Sequence, residues 1–104
     1  MPLDDVLKTL IAEAASEGEE GMFAVASTIV NRATRRRLTP QQVVNQPKQY
    51  TGRWRPDLDR FVAAQGPAIA AMAQRAWAKA QAAPLPGIDH YLTTDLYQSN
   101  PPSW

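Results

Sequence analysis

Hydrophobic residues recur at steps of three and four in two stretches of the N-terminal third of the chain. The first stretch, residues 3–14, predicts an amphipathic helix, and Asp4 and Asp5 lie in its first turn, where negative charge complements the helix dipole. The second stretch predicts a helix from about Glu19 to about Arg36. The basic run Arg35-Arg36-Arg37 falls at its C-terminus, where cations complement the dipole.

Proline and glycine residues delimit the remaining elements. Thr39-Pro40-Gln41-Gln42 combines an N-cap residue, a proline at the first helical position and a capping-box glutamine, which predicts a short third helix that Pro47 stops. Residues 46–60 show no sustained period and predict a surface loop with one helical turn near Leu58. From Gly66 to Ala83 an alanine-rich segment with one apolar stripe predicts a further helix.

These elements predict a mainly α fold in one small domain, residues 1–104, with irregular loops. The tail from Ile88 to Trp104 is expected to form an ordered loop, a short strand or a short β-hairpin. The chain has 104 residues, of which 44% are hydrophobic, and a net charge of +1. That composition suits one globular domain and lacks the low hydrophobicity and high net charge of disordered chains.

The same composition limits the chemistry. The absence of cysteine excludes disulfides, thiolate catalysis and Cys-ligated metals. A zinc site built on the single histidine, His90, would need carboxylates for its other ligands, which is poor zinc chemistry, so we expect no metal and no cofactor. The near-zero net charge gives no sequence-wide argument for a nucleic-acid partner. No segment approaches the roughly 20 apolar residues that span a bilayer.

An acidic cluster lies where the first two helices meet. With residues spaced about 100° apart around a helix, Glu13 falls on the border of the apolar stripe and Glu17 falls within it. Partial burial and a like charge four residues away both disfavour ionisation, which would keep a carboxyl protonated as a general acid. The alternative is that the helix ends before Glu17 and the cluster is an acidic N-terminal flank of the second helix. A glycosidase usually needs two carboxyl groups, and an Asp from residues 57–59 or 89–95 is the alternative partner to Glu17.

Aromatic residues in the polar segments are a second indication of function. These segments contain Asn, Gln and Pro residues, and aromatic rings in such surroundings suit a carbohydrate groove, where sugars stack on aromatic faces. The rings are Tyr50, Trp54, Tyr91, Tyr97 and Trp104. The alternative for Trp54 and Trp104 is that they anchor loops in the core. His90 is interpreted as a structural hydrogen-bonding residue rather than a base.

The string from Ala12 to Ala26, closed by Asn31-Arg32, resembles the SleB-like cell wall hydrolase family, typified by a spore-cortex-lytic enzyme. Its first Glu, second Glu, Glu-Gly pair and Asn-Arg fall in register with the motif of that family. Gln46-Pro47-Lys48-Gln49-Tyr50 resembles the Pro-x-Gln-aromatic loop of the family. His90-Tyr91 and Pro102-Ser103-Trp104 resemble its closing segment, so the resemblance extends over nearly the whole chain.

This resemblance implies a lysozyme-like helical domain that cleaves peptidoglycan strands between N-acetylmuramic acid and N-acetylglucosamine, as a lytic transglycosylase or a muramidase. It implies that Glu13 is the general acid and base, with Glu17 as a supporting residue or second carboxylate. The substrate-binding residues would be Asn31, Tyr50, His90 and Tyr91.

The implied partner is the peptidoglycan glycan strand, with no nucleic acid, no stable membrane insertion and a monomeric state. The short chain and the absence of a secretion signal favour a phage lysin, held in the host cytoplasm until lysis gives access to the wall, or a virion-associated enzyme.

Two other classes of protein stay open on the sequence alone. One is a non-enzymatic helical module that binds nucleic acid or another polyanion through its arginines, and the other is an inactive structural virion protein that keeps the same fold. The arginines of the first alternative are Arg32, Arg35, Arg36, Arg37 and Arg53.

Overall fold

Helices and short 3₁₀ turns form the part of the protein that the computed structural model describes, residues 3–46 and 50–88. No strand occurs within those ranges, which confirms the mainly α prediction for them. The predicted strand or hairpin of the tail lies outside the described residues. The helices are α1 (Asp5–Ala14), α2 (Gly18–Arg36), α3 (Pro40–Val44) and α4 (Leu58–Ala82), and the 3₁₀ turns are Ala15–Glu17 and Thr51–Trp54.

The apolar face of α1 packs against α2 and α4 and forms the centre of the core. Its N-terminus is capped by Asp4, whose carboxylate accepts a hydrogen bond of 2.9 Å from the backbone N–H of Leu7. The helix ends at Ala14, and Gly18, with a φ of 75°, starts α2 on a new axis. The largest fully buried apolar side chains of this core are Val6, Leu10, Ile11, Met22, Val25, Ile29, Val43 and Val44.

The short helix α3 forms as the sequence predicts. The side chain of Thr39 accepts a hydrogen bond of 3.1 Å from the Gln42 backbone N–H, and the Gln42 side chain accepts one of 2.8 Å from the Thr39 backbone N–H. This reciprocal pair is a capping box, and it satisfies backbone donors that a helix of five residues could not otherwise satisfy.

The segment before Gly66 corrects the sequence prediction. Helix α4 begins at Leu58, where we expected a surface loop with only one helical turn. The sequence does contain the spacing of a helical face here, at Leu58, Phe61 and Val62. The pattern is short and interrupted by charged residues, so it does not stand out as a helical period. At Gly66 the backbone leaves the helical region, with φ 86° and ψ 172°, and Pro67 starts the second half of α4 at the predicted position.

Among the described residues, no helix combines the length and apolar character that spanning a bilayer requires.

Replacing Gly66 by Ala tests the break in α4. The φ of 86° at Gly66 is strained for a residue with a Cβ, so we expect Gly66→Ala to lower the free energy of unfolding by about 1–3 kcal/mol. Chemical denaturation measures this change. The control is Ala63→Gly in the adjoining helical turn, which should cost only about 0.5–1 kcal/mol. A Gly66→Ala protein as stable as the wild type would contradict the observed backbone conformation.

Candidate active site

Glu13 lies in the last turn of α1, and its side chain is partly buried. One carboxylate oxygen, Oε1, accepts a hydrogen bond of 2.9 Å from the backbone N–H of Gly52. Gly52 belongs to the 3₁₀ turn Thr51–Trp54, so this bond joins two elements that are 39 residues apart in the sequence. The turn thereby fixes the position of the carboxylate.

Gly52 can reach Glu13 because it has no side chain. A Cβ at this position would lie 3.1 Å from the backbone C and O of Ala12 and 3.1 Å from its Cβ. Two of these three atoms are backbone, so only a shift of the turn or of α1 could relieve the contact. The close approach of Gly52 to Ala12 is therefore a condition for the hydrogen bond to Glu13.

A cleft of about 290 Å³ opens beside Glu13, between the C-terminal end of α1 and the first half of α4. Glu13 is the only ionisable side chain among the described residues that line it, and the uncharged polar groups are Ser16 and Gln65. The residues lining the cleft are Ile11, Ala12, Glu13, Ala15, Ser16, Phe61 and Gln65.

Burial raises the pKa of Glu13 above its ordinary value of 4.5, and the hydrogen bond from Gly52 opposes that rise in part. Burial is the larger of the two influences, so the carboxyl keeps its proton to a higher pH than a solvated glutamate does. A protonated carboxyl next to an open cleft can donate a proton to a bound oxygen, as a general acid must.

Glu17 takes a different position from the one that a continuous first helix would give it. Because α1 ends at Ala14, Glu17 closes the 3₁₀ turn and precedes the first residue of α2. This arrangement matches the alternative in which the helix has already ended. Glu17 is not among the described residues that line the cleft, and burial rather than a like charge raises the pKa of Glu13.

Tyr50 is only 3% exposed and holds the start of the 51–54 turn against α2. Its hydroxyl lies 2.8 Å from Oγ1 of Thr28, which already donates a hydrogen bond to the Val25 carbonyl, so the Tyr50 hydroxyl is the donor. The guanidinium of Arg32 lies 5.1 Å from the centre of the Tyr50 ring. Burial raises the pKa of the Tyr50 phenol, which keeps this donor protonated. Its predicted contact with substrate stays a prediction.

Asn31 binds the segment that follows α4. Its Nδ2 donates hydrogen bonds of 2.8 Å to the carbonyl of Leu85 and 2.7 Å to the carbonyl of Ile88. The backbone N–H of Leu85 in turn donates to Oγ of Ser27, at 3.0 Å. Asn31 therefore fixes the chain immediately before residue 89, and its predicted role in substrate binding stays a prediction. His90 and Tyr91 lie outside the described residues.

Three arginines of the polyanion-binding alternative are buried or bound to other side chains. Arg32 is only 4% exposed. Arg53 pairs with Asp5 at 3.2 Å, and Arg36 donates a hydrogen bond of 2.8 Å to Gln46. The described residues also contain no group of three or more His, Cys, Asp or Glu side chains that could hold a metal ion.

Sequence reasoning missed Gly52, Phe61 and Gln65 as parts of this site. In the sequence, Gly52 is only a glycine between Tyr50 and Trp54. Its role could not be inferred, because the atoms that it contacts belong to a helix distant along the chain. Phe61 and Gln65 could be recognised only once the first half of α4 was known to be helical, since that spacing places both on one face.

A model of the family described as Cell Wall Hydrolase matches residues 16–104. The matched range includes Glu17 and starts three residues after Glu13, so the case for Glu13 depends on the sequence motif and on the cleft. No curated protein and no solved structure matches the chain.

Substituting Gly52 tests how the turn controls the carboxyl. In Gly52→Ala the new Cβ would displace the turn from Ala12 and lengthen the hydrogen bond to Glu13. We expect the pKa of Glu13 to rise further, because a bond that favours the carboxylate is lost, and stability to fall by about 1–3 kcal/mol.

Carbon-detected NMR titration of the glutamate carboxyls measures this pKa. The control is Ser16→Ala, which removes a hydroxyl from the same cleft and leaves the turn in place. If Gly52→Ala titrates like the wild type, the 51–54 turn does not set the ionisation of Glu13.

Replacing Glu13 by Gln should stabilise the protein at neutral pH. The pKa of Glu13 is higher in the folded protein than in the unfolded chain, so ionisation of Glu13 opposes folding. The protonated carboxyl contributes its full share of the free energy of unfolding below about pH 4.5. That contribution is lost as the pH rises through the raised pKa of the folded protein. Glutamine avoids that loss and still offers an oxygen to Gly52. The stability difference between Glu13→Gln and the wild type should therefore shrink as the pH is lowered towards 4.5.

Urea denaturation at a series of pH values measures this effect. Glu20→Gln removes the same charge from an exposed position in the first turn of α2 and should give no gain at neutral pH. A Glu13→Gln protein that is less stable than the wild type at neutral pH would contradict the raised pKa.

Proposed function

The chain belongs to the cell wall hydrolase family, and we propose that it cleaves the glycan strands of peptidoglycan between N-acetylmuramic acid and N-acetylglucosamine, with Glu13 as the general acid. The family makes the chain an enzyme that acts on the cell wall and degrades peptidoglycan. The observation that supports Glu13 in particular is its place as the one ionisable group among the described residues lining the cleft. The raised pKa of this carboxyl suits the same role.

The first chemical step would transfer the proton of Glu13 to the glycosidic oxygen as the bond to the muramic anomeric carbon breaks. The positive charge that develops on the muramic ring is then quenched by an attacking oxygen. The N–H of Gly52 stabilises the glutamate that remains, because it donates to Oε1 of the carboxylate. The apolar wall of the cleft, including Ile11 and Phe61, limits the access of water to the carboxyl.

The source of the attacking oxygen distinguishes a lytic transglycosylase from a muramidase. In a transglycosylase, a hydroxyl of the muramic residue attacks its own anomeric carbon, and Glu13 takes up the proton of that hydroxyl, so one carboxyl serves as acid and then as base. A muramidase uses water and usually a second carboxyl about 5–10 Å away. We favour the transglycosylase because no second carboxyl lines the cleft among the described residues.

The other carboxyls considered from the sequence have separate partners or lie elsewhere. Asp57 accepts two hydrogen bonds from Arg55, at 2.6 and 3.2 Å, and Asp59 pairs with Lys8 at 2.7 Å. Asp89 and Asp95 are outside the described residues. The lysozyme-like fold, the single domain, and the phage or virion setting stay predictions.

A digest of purified peptidoglycan tests the proposal. We expect the wild type to release soluble fragments with anhydro-muramic ends, and Glu13→Gln to lose at least about 100-fold in rate while it stays folded. Mass spectrometry of the products identifies the ends, and circular dichroism verifies the fold.

Glu17→Gln is the matched control, because it makes the same substitution four residues further along the chain. It should retain most of the activity. Reducing muramic ends would show a muramidase instead, and a fully active Glu13→Gln would refute the assignment of the acid. Release of no fragment from several wall types by a folded wild type would refute the glycosidase itself.

A further inference from the structure

A second, larger cavity lies next to the Glu13 cleft, and an exposed tryptophan forms part of its wall. Its volume is about 550 Å³. Trp54 is 50% exposed, and it is the one large hydrophobic side chain that stands out in this way among the described residues. The cavity is lined by Asp5, Lys8, Arg53, Trp54, Arg55, Pro56, Asp57, Leu58, Asp59 and Arg60.

The two cavities follow one another along the same pair of helices. On α1 the larger cavity contacts Lys8, and the cleft begins at Ile11; on α4 the larger cavity contacts Asp59, and the cleft begins at Phe61. Lys8 and Glu13 are five residues apart, which is about 7.5 Å along a helix axis. The two cavities are therefore close enough along α1 for one strand of several sugar rings to reach both.

The 51–54 turn contributes to both cavities. Gly52 donates its N–H to Glu13, and Trp54 follows two residues later, a span of at most about 7 Å of chain. Trp54 therefore lies on the same short turn that positions the carboxyl of Glu13.

The Trp54 ring contacts a guanidinium and is half exposed. The guanidinium of Arg53 lies 5.1 Å from the ring centre, and it is itself held by Asp5, with Nη2 3.2 Å from Oδ2. This contact favours one orientation of the ring before any ligand arrives, so less conformational entropy would be lost on binding. A half-exposed aromatic ring is suited to stacking against the apolar face of a sugar ring.

The rim of the cavity carries paired charges rather than a block of one sign. Lys8 pairs with Asp59, and Arg55 pairs with Asp57. Their hydrogen bonds lower the pKa of both aspartates, which stay ionised at neutral pH. Four cations and three carboxylates therefore line the cavity, and they offer hydrogen-bond donors and acceptors side by side. Such a rim suits hydroxyl and N-acetyl groups better than it suits a polyanion.

We infer that this cavity is a glycan-binding subsite, in which Trp54 stacks on an uncharged N-acetylhexosamine ring of the strand whose bond is broken at Glu13. The inference rests on the proposed function, since it takes the ligand to be the same glycan. The subsite makes Trp54 a specificity-determining residue: it favours long strands over short ones, and it does not take part in the bond cleavage.

Binding measured without turnover separates this inference from the proposed function. The parent protein is Glu13→Gln, and the probes are oligomers of N-acetylglucosamine, titrated by isothermal calorimetry. We expect Trp54→Ala in this parent to weaken binding roughly tenfold, and Trp54→Tyr to restore most of it, because a tyrosine ring also stacks. Gln81→Ala, an exposed change near the end of α4, is the control and should bind like the parent.

The active enzyme provides the second readout. With Glu13 intact, Trp54→Ala should raise KM for long glycan strands and leave kcat nearly unchanged, because binding on Trp54 is the same in the ground state and the transition state. Equal binding by Trp54→Ala and its parent would overturn the subsite, and so would a loss of kcat without a change in KM.

Two further outcomes concern the ligand. If the parent binds no oligomer while the wild type still degrades peptidoglycan, the subsite is refuted and the proposed function stands. Binding that falls steeply with added salt and prefers an anionic polymer such as polyglutamate would refute an uncharged ligand and show a polyanion site.

Discussion

The hydrogen bond from the Gly52 N–H to the Glu13 carboxylate is the contact on which the site depends. It joins the end of α1 to the 51–54 turn, and it forms where Gly52 lies so close to Ala12 that a Cβ would be only 3.1 Å from it. Burial alone would favour a permanently neutral carboxyl, whereas this single donor keeps the ionised form accessible. In the mechanism that we propose, Glu13 gives up a proton and later takes one back, and both influences on its pKa suit that role.

The turn that carries Gly52 is held in place from the opposite side. Tyr50 precedes the turn; its hydroxyl donates to Thr28 in the middle of α2, and its ring contacts the guanidinium of Arg32. Because Tyr50 is buried, its anchoring bond is shielded from water and is worth more than an exposed one. The position of the Glu13 carboxyl is therefore determined by α1, which carries it, and by α2, which holds the turn that contacts it.

The elements that the sequence predicted well are those with local signals. The hydrophobic period identified α1 and α2, and the Thr39–Gln42 capping box identified α3. The choice of Glu13 also depends on local signals, the border of an apolar stripe and the resemblance of residues 12–26 to the family motif, and its catalytic role stays a prediction. The first half of α4 was missed because its few apolar residues stand among charged ones. The bond between Glu13 and Gly52 could not be predicted, since it depends on how two segments 39 residues apart pack together.

The placement of the cations explains why no basic side chain is among the causes of the pKa shift of Glu13. A guanidinium beside Glu13 would lower its pKa and make it a poor acid. Four basic side chains line the neighbouring cavity, and three of them pair with aspartates there: Lys8 with Asp59, Arg53 with Asp5, and Arg55 with Asp57. Burial and the Gly52 bond remain the influences on Glu13. The paired charges therefore line the polar cavity. Glu13, with its raised pKa, is the one ionisable group among the described residues that line the adjacent cleft.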